Sequence, residues 1–306
     1  MIGIQEIGSY IPSNRISNYD LKDKFEMDDN FIENKIGVQR VSRMLDGEDT
    51  SVMCVKAFNN LEQKIDIEKG EIECLILITQ NPDSNIPHTS AVLHGLLDLP
   101  ENCACFGVSL GCSGFVYGLS IIESFMQRNG MKKGLLFTSD PYSKIIDPED
   151  KNTQILFGDG ATVSLITDTP VYISGKYNFG TVGKEFKNLI CTDNSLYMNG
   201  RGIFNFAARY VPKDIKQLLE KNELLIDDID KFVFHQGSKY IIDTLIKRIG
   251  LEKEKVPFDI QDYGNTVSSS IPLIIEKEIK SNTNKMVAIG FGVGLSWAST
   301  ILTKIN

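Results

Sequence analysis

Short apolar runs, closed by polar residues, alternate along this chain with stretches of helical character. Residues 65–80 read IDIEKGEIECLILITQ, an acidic lead-in followed by an apolar strand that closes on Thr79-Gln80. Residues 224–236 read LLIDDIDKFVFHQ and repeat the plan, closing on His235-Gln236. A helical stretch follows each, at 88–97 (HTSAVLHGLL) and 238–249 (SKYIIDTLIKRI). A second helix then opens from a turn in each half. One covers 113–129, after the small-residue turn 111–114. The other starts near Asn265 in YGNTVSSSIPLIIEKEIKS. A strand follows each of these, at 134–139 (GLLFTS) and 286–291 (MVAIGF). Cys112 lies 33 residues after Thr79, and Asn265 lies 30 residues after His235. The two therefore hold corresponding positions, each expected at a helix start.

Strands alternating with helices predict an α/β fold. Two similar halves, 1–169 and 170–306, are expected to meet about a pseudo-two-fold axis, with the border near DTPV at 168–171. Equivalent loops then converge at the centre, bringing Cys112, His235 and Asn265 together. GFGVGLSW at 290–297 reads as a tight hairpin between strands 286–291 and 295–303, and such a hairpin can also offer backbone N–H groups to an oxyanion. FGDGAT at 157–162 reads as a turn. The Gly- and Asn-rich stretch 180–202 is expected to be irregular.

Composition narrows the class. The 306 residues, 42% hydrophobic and 24% charged, suffice for one large or two medium domains with a core of their own. A net charge of −8 argues against bulk nucleic-acid binding. MIGIQEIGSYIP is not a secretory signal, and no apolar run approaches the ~20 residues of a membrane span. A cytoplasmic protein without membrane contact is expected. The six cysteines form no CxxC pair and, with His88, His94 and His235, no ligand pattern, so reduced thiols and no metal are expected.

The candidate nucleophile is Cys112. A thiol attacks as its thiolate, and the start of a helix, with its unpaired N–H groups and positive dipole end, favours that form. Gly111 permits a tight turn, while Ser113-Gly114 leave a substrate room to approach. Each residue has a plainer reading. A lone Cys is usually a small buried hydrophobe, a His closing a strand can be a core residue, and an Asn in YGNT can be a turn residue or helix cap. All three at matching positions of a duplicated chain carry more weight than any one.

With these residues in hand, the chain resembles the β-ketoacyl-acyl carrier protein synthase III family of the thiolase superfamily. The resemblance runs over nearly the whole chain, from GSYIPSNRISNYDL through IGVQR, LGCSGFVYGL, DPEDKNTQILFGDGA, FHQGS and YGNT to GFGVGLSW. It implies an α/β thiolase fold, a duplicated five-layer αβαβα sandwich with mixed sheets. It also implies a homodimer and a Cys112-His235-Asn265 triad. The implied reaction loads Cys112 from an acyl-CoA, with the backbone N–H groups of Cys112 and Val293 as oxyanion hole. A malonyl thioester on acyl carrier protein then loses CO2 and condenses with the acyl group. His235 and Asn265 hold the enolate, His235 mainly as a hydrogen-bond donor. CoA and carrier thioesters are substrates, and no cofactor is implied. The acyl pocket is implied to include Tyr142 and, at its bottom and supplied across the dimer, Ile86.

The departures from the family pattern concern carrier recognition. Phe31 and Lys35 stand where the family has a Trp and an Arg flanking the CoA adenine, Lys151 replaces a phosphate-side Arg, and Tyr240 replaces another Arg. Arg and Lys are not interchangeable at bidentate phosphate contacts. Gly107 replaces an Asp and Val293 a Gly. Lys247-Arg248, on the same expected helix as Lys239, is the candidate patch for an acidic carrier; the plainer reading is a solvated helix face. Intact catalytic groups with altered carrier contacts lean toward a specialised lipid or secondary pathway. Three rival readings fit less well. Acyl transfer to a hydroxyl or amine would release no CO2. A papain-like hydrolase lacks its usual Cys context here. An idle acyl-binding partner has no need of a complete triad.

Overall fold

The computed structural model describes residues 1–305, and they build five layers. The first outer layer holds α2 (Thr50–Glu62) and α3 (Thr89–Leu96). The first sheet runs in the order β5 (Ala104–Val108), β4 (Cys74–Ile78), β6 (Lys133–Ser139), β7 (Ala161–Thr167) and β1 (Gly3–Tyr10). The middle layer holds α4 (Gly114–Asn129) and α8 (Ser270–Glu278). The second sheet runs β12 (Lys231–Phe234), β13 (Lys285–Gly292), β14 (Ser296–Lys304) and β8 (Tyr172–Ser174), with β9 (Asn178–Thr181) also paired to β14. The last layer holds α6 (Gly200–Lys221) and α7 (Lys239–Ile249). A single pair, Ile4 opposite Tyr172, joins the sheets at their edges.

The duplication is explicit in the pairing. β4 is parallel to β6, which is antiparallel to β7; β12 is parallel to β13, which is antiparallel to β14. β4 is buried along its whole length because helices cover both faces of its sheet, the condition that gives parallel strands continuous apolar sequences. α4 packs Phe115, Val116, Leu119 and Ile122 among β4, β6, β13 and β14, so one core cluster spans both halves. No helix among the described residues is long and apolar enough to cross a membrane.

Smaller elements cover the ends of the sheets. A hairpin of β2 (Asn14–Ser17) and β3 (Arg40–Arg43) flanks α1 (Lys22–Phe25) and a π-helical turn at Phe31–Ile36. α5 (Lys151–Gln154) is a single turn. Two expectations need correction. The stretch 180–202 is not irregular: β10 (Leu189–Thr192) and β11 (Ser195–Met198) form a hairpin in it. Its two-residue loop, Asp193-Asn194, has φ of 52° and 59°, the left-handed pair that matches the twist of antiparallel strands. Leu189 and Leu196 turn into the core from opposite strands. The second correction is that Asn265 does not stand at the start of an α-helix. A 3-10 turn, Val267–Ser269, separates it from α8.

Candidate active site

Cys112 stands in the turn between β5 and α4 and is 4% exposed. The end of β13 passes directly over its side chain. A methyl group at Gly292 would lie 2.6 Å from Sγ, so no larger residue fits there. The helix start has no side-chain cap, leaving its backbone donors free. The N–H groups of Val293 and of Cys112 itself bond the sulfur and favour the thiolate. Ser296 holds that part of the hairpin in place, donating to the Val293 carbonyl (2.9 Å), while Ser113 lies 2.9 Å from the Ser296 hydroxyl. The expected lowering of the thiol pKa does not survive burial. Desolvation, with the Asp140 carboxylate adding to it, pushes the Cys112 thiol up to about 12.

His235 follows β12 and prolongs its pairing, its N–H donating to the Ile289 carbonyl at 2.9 Å. Burial pulls the imidazole down to about 3, so the ring is neutral at ordinary pH. Nδ1 lies 2.8 Å from the Ser270 hydroxyl oxygen, and the Val267 carbonyl faces the ring as a second acceptor. Ser270 in turn donates to that carbonyl at 3.1 Å. Two oxygens facing Nδ1 place the proton there, so Nε2 presents a lone pair. The expectation of His235 mainly as a donor is met only by the other tautomer, in which Ser270 turns its hydroxyl onto Nδ1.

Asn265 is clamped against the first half of the chain. Its N–H donates to the Leu156 carbonyl (2.8 Å), and its carbonyl accepts from Gly158 N–H (3.0 Å). Val267 N–H donates to Oδ1 at 2.9 Å, which leaves Nδ2 directed at His235 Nε2, 3.4 Å away. To return its N–H in this way, Val267 adopts φ 53°, a costly conformation for a β-branched residue, of order 1–3 kcal/mol.

These three residues line one cavity of about 470 Å³, with Phe157, Phe291 and Gly292. Phe31, Lys35, Arg201, Phe204 and Tyr240 stand toward its mouth. Phe204 stacks on Tyr240 at 5.1 Å, and the Phe31 ring lies between Lys35 (5.4 Å) and Lys151 (4.8 Å). Lys151 also donates to the Phe25 carbonyl at 2.6 Å and does not line the cavity. Lys247 and Arg248 are exposed on the last turn of α7, away from the lining; Arg248 donates to the Ala208 carbonyl on α6. Ile86, 89% exposed, and the buried Tyr142 are also absent from this lining. Tyr142 borders a second cavity, as do Ser84 and Asn85 beside Ile86.

Sequence reasoning missed Arg201, Phe204, Ser270 and a buried carboxylate, Asp140. Asp140 accepts from Gln80 N–H (2.7 Å) and from the Ser268 hydroxyl, tying the loop after β4 to the turn after Asn265. Burial raises it to about 6. Its signal was present: it follows the apolar strand 134–139 as His235 follows 232–234. Ser270 gave no comparable signal in a run of three serines.

A family model described as 3-oxoacyl-(acyl-carrier-protein) synthase III matches residues 106–183, and its C-terminal counterpart matches residues 219–304. The beta-ketoacyl-(acyl-carrier-protein) synthase III of Lactococcus lactis subsp. cremoris strain MG1363 is 30% identical, over 98% of this chain and 98% of its own. That of Streptococcus mutans serotype c is 32% identical with the same coverage. The crystal structure of a 3-oxoacyl-(acyl-carrier protein) synthase from Burkholderia xenovorans LB400 superposes with a TM-score of 0.91 at 32% identity, covering 99% of this chain and 94% of that one.

Proposed function

The chain belongs to the 3-oxoacyl-(acyl-carrier-protein) synthase III family, condensing acyltransferases of the thiolase fold, and on that premise we propose how its own residues divide the reaction. Cys112 Sγ attacks the carbonyl carbon of an acyl thioester, and its proton passes to the Nε2 lone pair of His235. The backbone N–H groups of Cys112 and Val293 hold the oxyanion. The tetrahedral intermediate collapses, the C–S bond to CoA breaks, and the leaving thiolate takes the proton back. This scheme needs no resting thiolate, in keeping with a thiol held near 12 beside a neutral imidazole. A malonyl thioester then enters. As CO2 leaves, negative charge develops on the thioester oxygen, between Asn265 Nδ2 and His235 Nε2, which carries its proton in the other tautomer. The resulting carbanion attacks the acyl carbon, Cys112 departs as thiolate, and a proton restores the thiol.

The observation that carries this reading is that Gly292 and Val293 pass over Cys112 in the cavity that also presents His235 and Asn265. Acyl-CoA and acyl carrier protein are its substrates in this scheme. The aromatic pair Phe204–Tyr240 and the lysine-flanked Phe31 support a carrier contact altered from that of the family, and with it a specialised pathway; Lys247 and Arg248 remain the patch for an acidic carrier. We read 1–169 and 170–306 as the two structural units, since the chain leaves the first sheet after β7 and enters the second at β8. We also read the protein as a homodimer in which Ile86 of each copy reaches the second cavity of the other, where Tyr142 stands.

The test is intact mass after incubation with acyl-CoA thioesters and with acyl-carrier thioesters, with Cys112→Ala as control. One acyl adduct, absent from the control, followed by CO2 release when malonyl carrier protein is added, supports the scheme. No adduct from either donor class, or an adduct that persists in Cys112→Ala, overturns it.

A further inference from the structure

The catalytic cavity is closed off, on one side, by aromatic packing. Tyr142 follows β6 in a 3-10 turn and is 2% exposed. Its ring packs on Phe157 at 4.9 Å, and its hydroxyl donates to Gln80 Oε1 at 3.1 Å. That oxygen is wedged against the backbone before the nucleophile, for a methyl group at Gly111 would lie 2.5 Å from it. Beyond Tyr142 lies the second cavity, of about 750 Å³, which Gln80 and Tyr142 border. Phe157 lines the first cavity, Tyr142 the second, and Leu189 both. The two spaces are thus parted by a thin wall of side chains. Burial keeps the tyrosine hydroxyl protonated, as a donor must be.

We propose that Tyr142, pinned by Gln80, sets the length of the acyl group, so that the protein loads short acyl chains of acetyl to butyryl size and excludes those that would have to cross the wall. This rests on the reading of Cys112 as the acyl carrier. Admitting a longer chain requires the ring to leave a dense core and abandons Gln80 Oε1 without its donor, two costs that reinforce each other. A leucine in place of Tyr142 would make no such bond and would yield by a rotamer change. Gln80, at the position that His235 occupies in the other half, thus acts as a positioning residue for the wall.

The wild-type chain decides the proposal. Acetyl-, butyryl-, hexanoyl- and octanoyl-CoA are offered separately and loading at Cys112 is timed by intact mass. Octanoyl loading at least about tenfold slower than acetyl or butyryl is expected. Tyr142→Ala should collapse that ratio by merging the two spaces, and Tyr142→Phe, which keeps the ring, should retain most of it. Wild-type loading of octanoyl at the acetyl rate overturns the wall while leaving the acyl-enzyme intact. An unchanged ratio in a Tyr142→Ala protein that unfolds cooperatively overturns it equally. If no acyl group loads from CoA or carrier thioesters, the acyl-enzyme reading fails and the wall with it.

Discussion

β4 ends in the first half at Ile78 and is followed by Thr79 and Gln80; β12 ends in the second at Phe234 and is followed by His235 and Gln236. The strands that flank them pair alike, yet the loops do different work. In the first half the turn after β5 leaves the helix start uncapped, so backbone N–H groups face the Cys112 sulfur. In the second half, among the described residues, no strand corresponds to β5. The chain reaches Asn265 through a turn whose N–H, at Val267, is spent on Asn265 Oδ1. One half offers a nucleophile with backbone donors, the other offers side-chain amide and imidazole nitrogens. Duplication supplied two equivalent turns, and the capping of each decided whether it presents its backbone or its side chains.

Asn265→Ala breaks this division most sharply. It should leave loading of Cys112 largely intact while CO2 release from a malonyl thioester falls about 10²- to 10³-fold, the usual cost of removing one donor from a developing oxyanion. Equal losses in both half-reactions, measured by intact mass and by CO2, would show that the two halves do not act separately. The next effect is in pH. With the thiol raised to about 12, the thiolate fraction grows with pH throughout the ordinary range. Alkylation of Cys112 by iodoacetamide should therefore quicken about tenfold per pH unit, without a plateau, between roughly pH 6 and 9. A plateau near neutrality would mean that the helix start outweighs burial.

The smallest effect concerns the layer that the halves share. Glu123 on α4 accepts from Ser174 (2.8 Å) and Tyr177 (2.7 Å), and burial lifts its carboxyl from 4.5 to about 7. A raised acid favours the native state while it is protonated. That contribution is complete below about 4.5 and lost as pH rises through about 7. Glu123→Gln does not titrate, so its stability should gain on the wild type across that window, by roughly 3 kcal/mol at most. Urea unfolding of both proteins at several pH values reads the difference, and a constant offset would place Glu123 in a wetter site.

Much of this was legible in the chain. The alternation of LILITQ with HTSAVLHGLL, and of FVFHQ with SKYIIDTLIKRI, placed β4, α3, β12 and α7 within a residue or two of their observed bounds. The 189–198 hairpin escaped because its strands are short and its signal lay in Asp193-Asn194, a pair able to take positive φ, rather than in its apolar pattern. Arg201 and Phe204 escaped because the mouth of the cavity is assembled from α6, α7 and the turn at Phe31, which no local pattern relates.

What the sequence by itself determined is which residues close strands and open turns, and hence that Cys112, His235 and Asn265 hold related places. Hydrophobic periodicity is a local property, written in neighbouring residues, and the two halves display it twice. The tertiary structure alone decided how those groups behave. Desolvation from both sheets raises Cys112, the Ser270 hydroxyl 35 residues from His235 sets which ring nitrogen holds the proton, and Gln80, 62 residues from Tyr142, pins the wall. Protonation and pocket depth depend on dielectric and on contacts between distant segments, and these come into being only when the layers close.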